Sequence, residues 1–358
     1  MARSKIFFRT DASFEIGYGH VYRCLALADY LKTIGDSCIF LCKIFDGNLI
    51  DLIISHGHEV KKLSKSNDSF ESTWLGSSFK NDAAQVKDVI GNQQVDYLII
   101  DHYGIDYRWE KILKKFVKKI IVIDDLANRS HDCNYLIDQN LGRNKKDYEN
   151  LTTSNTEFFI GPKYALLRPE FNQFRKESLA NRLNPSLKNI LINFGGVDVN
   201  NYSEKILSYL KKTKLDNIKK VEVVIGKGSR HLNSLQSACI SFPYEVNIYS
   251  NISNMAEIMS KSDLIIGAAG SSSWERCSLG IPSIILILAP NQEQGALSLE
   301  ANGCAVLIKN NQNFDDELNA GLHYFSNRTN LLKSVSACKK ITEGLGINKL
   351  AKEIFNHE

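Results

Sequence analysis

The first segment whose residue types could do chemistry is RTDASFEIGYGH, residues 9–20. A short apolar run precedes it and apolar positions with helical spacing follow it, so the segment joins a strand to a helix. Gly17 and Gly19 permit tight turns close to a ligand, and His20 falls in the first turn of the helix, where an imidazole can serve as a general base. Asp11 is a candidate substrate contact. Alternatively, Asp11 only caps the helix and His20 is an incidental surface histidine.

Two more polar segments follow apolar runs in the same half of the chain. In the sequence DHYG, Asp101 could hold His102 or cap the next helix, while the Tyr103 hydroxyl could donate to a sugar. The aspartate pair at 124–125 ends the next apolar run. Because the carboxyl ends of parallel strands share one edge of a sheet, these side chains could converge with His20; ordinary turn residues are the alternative.

Two small-residue turns in the second half could hold a diphosphate. The glycines of NFGGVD, residues 193–198, can offer backbone N–H groups, although a plain tight turn explains them equally well. The segment GSSSWE, residues 270–275, leads from a strand into a helix, where its carboxylate could accept from ribose hydroxyls or instead complete a capping box with Ser272. The candidate nucleotide-binding residues are Gly195, Gly196, Gly270, Ser271, Ser272, Ser273 and Glu275.

The motif PNQ, residues 290–292, follows the next apolar run. The side-chain amides of Asn291 and Gln292 could hydrogen-bond amide or hydroxyl groups of a sugar, or could cap the following helix. Both residues are therefore candidates for substrate binding.

Motifs for common cofactors are missing from the sequence. Tyr22 stands where a dinucleotide fingerprint needs its third glycine, and the Gly-Lys-Gly at 226–228 lacks the spacing of a P-loop. No two aspartates are separated by one residue, so the metal site of metal-dependent sugar transferases is absent. The eight cysteines include no Cys-x-x-Cys pair and are expected to be reduced core thiols. We therefore expect no cofactor and no metal.

Charge and hydropathy exclude two further classes of partner. The 44 basic and 40 acidic residues are intermixed and give a net charge of +4, so no strip for nucleic-acid phosphates is evident. Charged residues interrupt the N-terminal apolar run, so we expect no signal peptide, and the apolar stretch 281–290 is about half the ~20 residues that span a bilayer. We expect a cytoplasmic monomer without membrane insertion.

The chemistry-bearing segments must be positioned by about two domains, given 358 residues. Buried strands are predicted at 6–8, 38–42, 97–100, 120–123, 158–160, 190–193, 221–225, 264–266 and 284–288, and helices at 201–210, 273–279 and 294–302. This alternation predicts an α/β fold of two doubly wound domains, 1–170 and 188–358, with a polar linker at 171–187 bounded by prolines. Ligands are expected in a central cleft at the carboxyl ends of the two sheets.

Taken together, the motifs resemble one family, the UDP-2,4-diacetamido-2,4,6-trideoxy-β-L-altropyranose hydrolases of pseudaminic acid biosynthesis, which are related to MurG-type glycosyltransferases. The resemblance covers nearly the whole chain. Its carriers are RTDASFEIGYGHVYR at 9–23, LIIDHYG at 98–104, DD at 124–125, YALLRPEF at 164–171, NFGGVD at 193–198, GSSSWERCSLGIPSI at 270–284 and PNQ at 290–292.

The resemblance implies a GT-B fold in which the C-terminal domain binds UDP and the N-terminal domain faces the sugar. It implies that His20 is the catalytic base, that Tyr103 and Asn291 lie near the sugar, and that Arg168 is a structural or substrate-contact residue. The expected reaction is metal-independent hydrolysis of the C–O bond of a UDP-linked sugar with inversion; a GT-B glycosyltransferase or a 2-epimerase is the enzymatic alternative, and a UDP-sugar sensor the noncatalytic one. The chain carries added material near 60–90 and 310–345 compared with compact members.

Overall fold

The structure is a computed structural model, and it describes residues 4–65, 74–196, 198–213, 215, 217–226, 229–309 and 311–355. Four features noted in the sequence fall partly outside these residues. The added segment near 60–90 lacks a description at 66–73, and the one near 310–345 lacks it at 310. The NFGGVD motif lacks it at Val197, and the 226–228 turn at 227 and 228. None of the helices in the described part of the chain has the length and apolar character that crossing a membrane requires.

Strands and helices alternate along the chain. In order they are β1 (Lys5–Thr10), α1 (Gly19–Thr33), β2 (Ser37–Lys43), α2 (Ile50–Ser55), β3 (Glu59–Leu63), α3 (Phe79–Ile90), β4 (Val95–Asp101), α4 (Tyr107–Leu113), β5 (Val117–Ile123), β6 (Tyr135–Asp138), β7 (Glu157–Ile160), α5 (Pro169–Asn181), β8 (Asn189–Asn193), α6 (Tyr202–Lys212), β9 (Lys220–Ile225), α7 (Leu232–Ala238), β10 (Glu245–Ser250), α8 (Met255–Ser260), β11 (Leu264–Ala268), α9 (Ser272–Ser278), β12 (Ser283–Leu286), α10 (Glu293–Ala301), β13 (Ala305–Ile308), α11 (Phe314–Ser326), α12 (Arg328–Ile341) and α13 (Gly346–Ile354). Short 3₁₀ turns lie at Lys145–Tyr148, Pro162–Tyr164, Pro290–Gln292 and Asn311–Asn313.

The chain divides into two compact units, Met1–Arg168 with Leu345–Glu358 as unit 1, and Pro169–Gly344 as unit 2. In the described part of unit 1, seven parallel strands form one sheet in the order β3-β2-β1-β4-β5-β6-β7. Phe8 packs on one face with α1 and α13, while its neighbour Phe7 packs on the other face. The strands are apolar in consecutive positions because both faces of the sheet are covered.

Unit 2 has the same architecture. Its described strands form a parallel sheet in the order β10-β9-β8-β11-β12-β13, with a buried core that includes Ile192, Ile266 and Phe325. All nine predicted strands and all three predicted helices overlap observed elements of the same type. The expected class, two doubly wound α/β domains, is confirmed.

The predicted boundaries need two corrections. Most of the predicted linker at 171–187 is α5, which belongs to unit 2: the Ser178 hydroxyl donates to the Leu279 carbonyl at 2.8 Å, and Arg182 donates to the Ser260 carbonyl at 3.1 Å. The prolines that bounded the linker were misleading, because Pro169 occupies the first turn of α5, where proline is tolerated. The C-terminal helix α13, predicted in the second domain, belongs to unit 1.

Candidate active site

The position of His20 is fixed by the start of α1 and the end of β4. The residue is 7% exposed, and its Nδ1 lies 2.6 Å from Oδ1 of Asp101, the last residue of β4. Because a carboxylate only accepts hydrogen bonds, Nδ1 is the donor in this contact, and Nε2 of the neutral imidazole is left as the proton acceptor. His20 is therefore not an incidental surface histidine. The arrangement is that of an oriented general base.

Arg23, one turn further along α1, completes a buried charge network with Asp101. Its Nε and Nη2 donate to the two Asp101 oxygens at 2.5 and 2.6 Å, and its Nη1 donates to Asp125 at 2.9 Å. Burial alone would raise the pKa of Asp101, but the guanidinium of Arg23 and the imidazole of His20 outweigh it and hold the pKa well below its ordinary value. Asp101 is thus an anion whose two oxygens accept from His20 and Arg23. These contacts correct the expectation that it holds His102 or caps a helix.

An aromatic ring from the DHYG turn contacts the imidazole of His20. The Tyr103 ring meets His20 edge-on with a centroid separation of 4.5 Å, and Trp74 lies 5.4 Å from Tyr103. The Arg129 guanidinium sits 5.8 Å from the centre of the same tyrosine ring. The predicted convergence of Tyr103 with His20 is therefore observed in unit 1.

Asp11 belongs to a different, fully buried network, which corrects its prediction as a direct substrate contact. Its carboxylate accepts from Arg9 at 2.7 Å and from the backbone N–H of Lys43 at 2.7 Å, and His102 Nε2 lies 3.3 Å away. Asp82 accepts from Arg9 on both oxygens, at 3.0 and 2.8 Å. Burial would raise the pKa of Asp11, but the Arg9 guanidinium outweighs it and the pKa is lowered. A carboxylate that makes these contacts and is 1% exposed stabilises the start of the loop between β1 and α1.

The loop before His20 is shaped by its glycine. Ser13 accepts backbone N–H groups of Glu15 and Ile16 on its hydroxyl at 3.1 and 2.9 Å, and its carbonyl accepts from Gly17 at 2.9 Å. Gly17 closes this turn with a φ of +79°, which favours glycine, whereas Gly19 is exposed at the start of α1. Arg168 is half-buried at the end of the first segment of unit 1.

In unit 2 the fold brings together three loops that the sequence singled out. The turn with Gly195 and Gly196 follows β8, the turn at 269–271 follows β11, and the Asn291–Gln292 turn follows β12. These strands are neighbours and parallel, so all three loops lie at one edge of the sheet. Gly195 and Asn291 are exposed there, and Gln292 accepts from the Leu288 N–H at 3.0 Å.

Arg276 fixes the loop before α9, and its bonds there contradict one of the predicted nucleotide contacts. Its Nη2 donates to the Ala268 carbonyl at 2.7 Å and to the Ser273 hydroxyl at 2.8 Å, and the Ser273 N–H donates to Gly270 at 2.9 Å. Ser273 is 3% exposed, so it shapes the loop rather than offering groups to a nucleotide, which corrects that prediction. The helix begins after Ser271, whose side chain makes no capping bond, so the capping box predicted from Ser272 is not observed.

Gly267→Ala should destabilise unit 2, because an added Cβ would lie 2.1 Å from the Asn193 carbonyl oxygen in the neighbouring strand. The atoms in the way belong to the Asn193 backbone, which cannot swing aside as a side chain can, so we expect a loss of about 1–3 kcal/mol in the free energy of unfolding. Urea denaturation measures it. Gly270→Ala is the matched control, since its Cβ would meet nothing within 4 Å; equal losses in both variants would contradict the packing argument.

Two proteins are similar in sequence to this chain over most of its length. The uncharacterized protein MJ1062 of Methanocaldococcus jannaschii is 34% identical over 289 residues, which is 79% of this chain and 55% of that protein. The chain therefore spans about half the length of that relative. The UDP-2,4-diacetamido-2,4,6-trideoxy-β-L-altropyranose hydrolase of Campylobacter jejuni is 30% identical over 306 residues, 85% of this chain and 99% of the hydrolase.

The chain belongs to the same family as this hydrolase. Within unit 2 and α13, residues 189–351 also match the glycosyltransferase family 28 C-terminal domain. Among solved structures, MurG of Acinetobacter baumannii superimposes with a TM-score of 0.70 at 15% identity, covering 99% of this chain and 100% of MurG. The chain therefore has the GT-B fold.

Three candidate functional residues of this chain could not be recognised from the sequence. Arg23 falls within the RTDASFEIGYGHVYR motif, but nothing in the sequence pairs it with Asp101, 78 residues away. Arg276 follows the candidate ribose-binding Glu275 and gave no signal of burial, and Trp74 lies in the added segment. Only the helical spacing of His20 and Arg23, three residues apart on one face of α1, could have suggested that they share a partner.

Proposed function

We propose that the protein is an enzyme that hydrolyses a UDP-linked 2,4-diacetamido-2,4,6-trideoxyhexose to UDP and the free sugar, in nonulosonic acid biosynthesis. The observation that carries this proposal is the buried His20–Asp101 contact, which leaves Nε2 as a proton acceptor. The C. jejuni hydrolase, whose whole length the chain covers, supports the choice of substrate.

In the proposed reaction His20 removes a proton from water as the water attacks the anomeric carbon, and the bond from that carbon to the UDP oxygen breaks with inversion. Glycosidases usually need a second carboxyl group to protonate a poor leaving group. UDP leaves readily as an anion, so one base is sufficient when N–H and hydroxyl donors stabilise the departing diphosphate.

We assign UDP to the loops at the carboxyl edge of the unit 2 sheet. Gly195, Gly196 and Gly270 allow the diphosphate to approach the backbone, Ser271 and Ser272 supply donors, and Glu275, half-buried in the first turn of α9, accepts from the ribose. The proposed sugar contacts are Tyr103, Arg168, Asn291 and Gln292, with Gly17 and Gly19 shaping the loop before the base.

A glycosyltransferase that uses a UDP-sugar donor is the second candidate. The match of residues 189–351 to a glycosyltransferase domain favours it, because the same base would then deprotonate an acceptor hydroxyl instead of water. The two candidates differ in whether the sugar is released without an acceptor.

Incubation with the UDP-linked diacetamido sugar in ¹⁸O-water, without an acceptor, should release UDP that contains no ¹⁸O. Attack at the anomeric carbon places the water oxygen in the sugar, so mass spectrometry of UDP reports which bond breaks. A reaction with His20→Gln protein is the control for contaminating activity. Label in the UDP would contradict C–O cleavage, and an intact substrate that reacts only when an acceptor is supplied would favour the transferase.

A further inference from the structure

Three cysteine thiols meet in the core of unit 2, far apart in sequence. Cys277 lies in the last turns of α9, Cys304 directly precedes β13, and Cys338 lies in α12. The three sulfur atoms are all within 4.8 Å of one another, and each residue is at most 2% exposed. The remaining cysteines are not part of this group, and all eight are free thiols.

The spacing of the sulfur atoms matches a thiolate metal site. Three sulfurs at a metal–sulfur distance of about 2.3 Å in one plane stand roughly 4.0 Å apart, so the cluster needs little contraction to hold an ion. Soft thiolates select thiophilic metals over the hard cations Mg²⁺ and Ca²⁺. In the part of the chain that the structure describes, the cluster contains no carboxylate or imidazole as a fourth ligand, which favours three-coordinate binding.

A buried arginine makes the charge acceptable for a divalent ion. Three thiolates around a divalent ion carry one net negative charge, and Arg276, next to Cys277 in α9, is 2% exposed. Its hydrogen bonds go to neutral acceptors, the carbonyls of Ala268 and Ser272 and the Ser273 hydroxyl. A guanidinium is positively charged at neutral pH, and that of Arg276 lies within electrostatic range of Cys277 and Cys338.

The Cys338 thiol also contacts backbone carbonyl oxygens at the edge of the cluster. The Cys338 thiol lies 3.5 Å from the Ile281 carbonyl and 3.6 Å from the Cys304 carbonyl, so its proton is shared among weak acceptors.

We propose that Cys277, Cys304 and Cys338 bind one thiophilic divalent metal ion such as Zn²⁺ or Cd²⁺. The ion forms three metal–sulfur bonds, each thiol that is still protonated releases its proton to solvent, and no electron is transferred. The bound ion ties α9 to α12 and to the start of β13. Because the cluster is closed to solvent, the ion enters as unit 2 folds or opens locally.

The test is metal uptake by full-length protein refolded from urea under reducing conditions with Zn²⁺ or Cd²⁺ alone. After removal of loose metal with a weak chelator, we expect one ion per chain, a thiolate-to-cadmium charge-transfer band in the ultraviolet, and a higher Tm with metal than without. Cys338→Ala should bind at least tenfold more weakly. Cys239→Ala is the matched control, since this half-buried cysteine of unit 2 lies outside the cluster.

Circular dichroism of the metal-free proteins shows whether Cys338→Ala folds, and Cys304→Ala provides a second variant if it does not. Uptake of Cd²⁺ but not Zn²⁺ would support three-coordinate binding, and uptake of both would support a site that also accepts a fourth ligand. Uptake by wild-type protein no greater than that of the cluster variants, or an equal loss in Cys239→Ala, would overturn the proposal.

Discussion

His20→Gln should lower kcat by about 10²- to 10⁴-fold, because it removes the ring nitrogen that is placed to take a proton while keeping a side chain of similar length. The loss should appear in kcat, since the imidazole acts on the attacking water in the transition state. UDP release under steady-state conditions measures it. Affinity for UDP, measured by calorimetry, should stay unchanged, because the proposed nucleotide contacts are residues of unit 2.

His323→Gln is the matched control, an exposed histidine on α11 whose Nδ1 lies 2.9 Å from the Asn319 carbonyl oxygen. We expect wild-type turnover from it. If His20→Gln loses turnover but binds UDP normally, a noncatalytic UDP-sugar sensor is excluded as the role of the wild-type protein. Full turnover by His20→Gln would contradict the assignment of the base and leave the buried Asp101 contact without a catalytic purpose.

The strands could be predicted where they are buried on both faces, because each then appears as a continuous apolar run. Four strands were missed. The edge strands β3, with sequence EVKKL, and β10, with sequence EVNIYS, mix apolar with polar residues, while β6, with sequence YLID, and β13, with sequence AVLI, are only four residues long. In both sheets the candidate site residues lie at the carboxyl ends of central strands, which were predicted.

Candidate residues could be predicted as far as their place at a strand end, but their partners could not. The pattern of strand, polar turn and helix placed His20, Tyr103 and Gly270 correctly relative to their own elements. Which carboxylate meets which base depends on the register between β1 and β4 and on the rotation of α1, and neither is encoded locally. For the same reason Asp11 was predicted at the substrate, whereas packing between β1, β2 and α3 buries it.

The trithiol cluster is a stronger case of the same limit. Its members are separated by 27 and 34 residues, so no spacing rule for metal ligands detects them. Parallel strands and their crossover helices brought the three positions together. The expectation that the cysteines are free thiols agrees with the structure, and most of them are buried, but their grouping follows only from the fold.

Asp101→Asn should lower kcat by at least about 10²-fold with little change in KM. An asparagine amide can donate to Nδ1, which favours the tautomer with the proton on Nε2, and that nitrogen can then no longer accept from water. Asp101 touches the imidazole and not the reacting atoms, so it is a positioning residue. A displaced pH–rate profile, which a purely structural loss would not cause, should accompany the fall in kcat.

The same substitution should also destabilise unit 1. Arg23 loses its two-point partner and keeps only Asp125, and breaking a buried pair costs about 3–5 kcal/mol. Since the pKa of Asp101 is held below its unfolded value, its stabilising contribution is present above about pH 4 and is lost as the pH falls through the folded pKa. Urea denaturation at neutral and acidic pH should show a smaller acid-dependent loss in the variant.

Asp125→Asn separates orientation of the base from retention of Arg23, because Asp125 bonds Arg23 at 2.9 Å and makes no direct hydrogen bond to His20 among the contacts that the structure describes. If Asp101 acts by orienting His20, the loss of kcat should be much smaller in Asp125→Asn than in Asp101→Asn. Equal losses in the two folded variants would mean that turnover depends on Arg23 rather than on the tautomer of His20. In that case the guanidinium, and not the imidazole, would be the group whose position the network exists to fix.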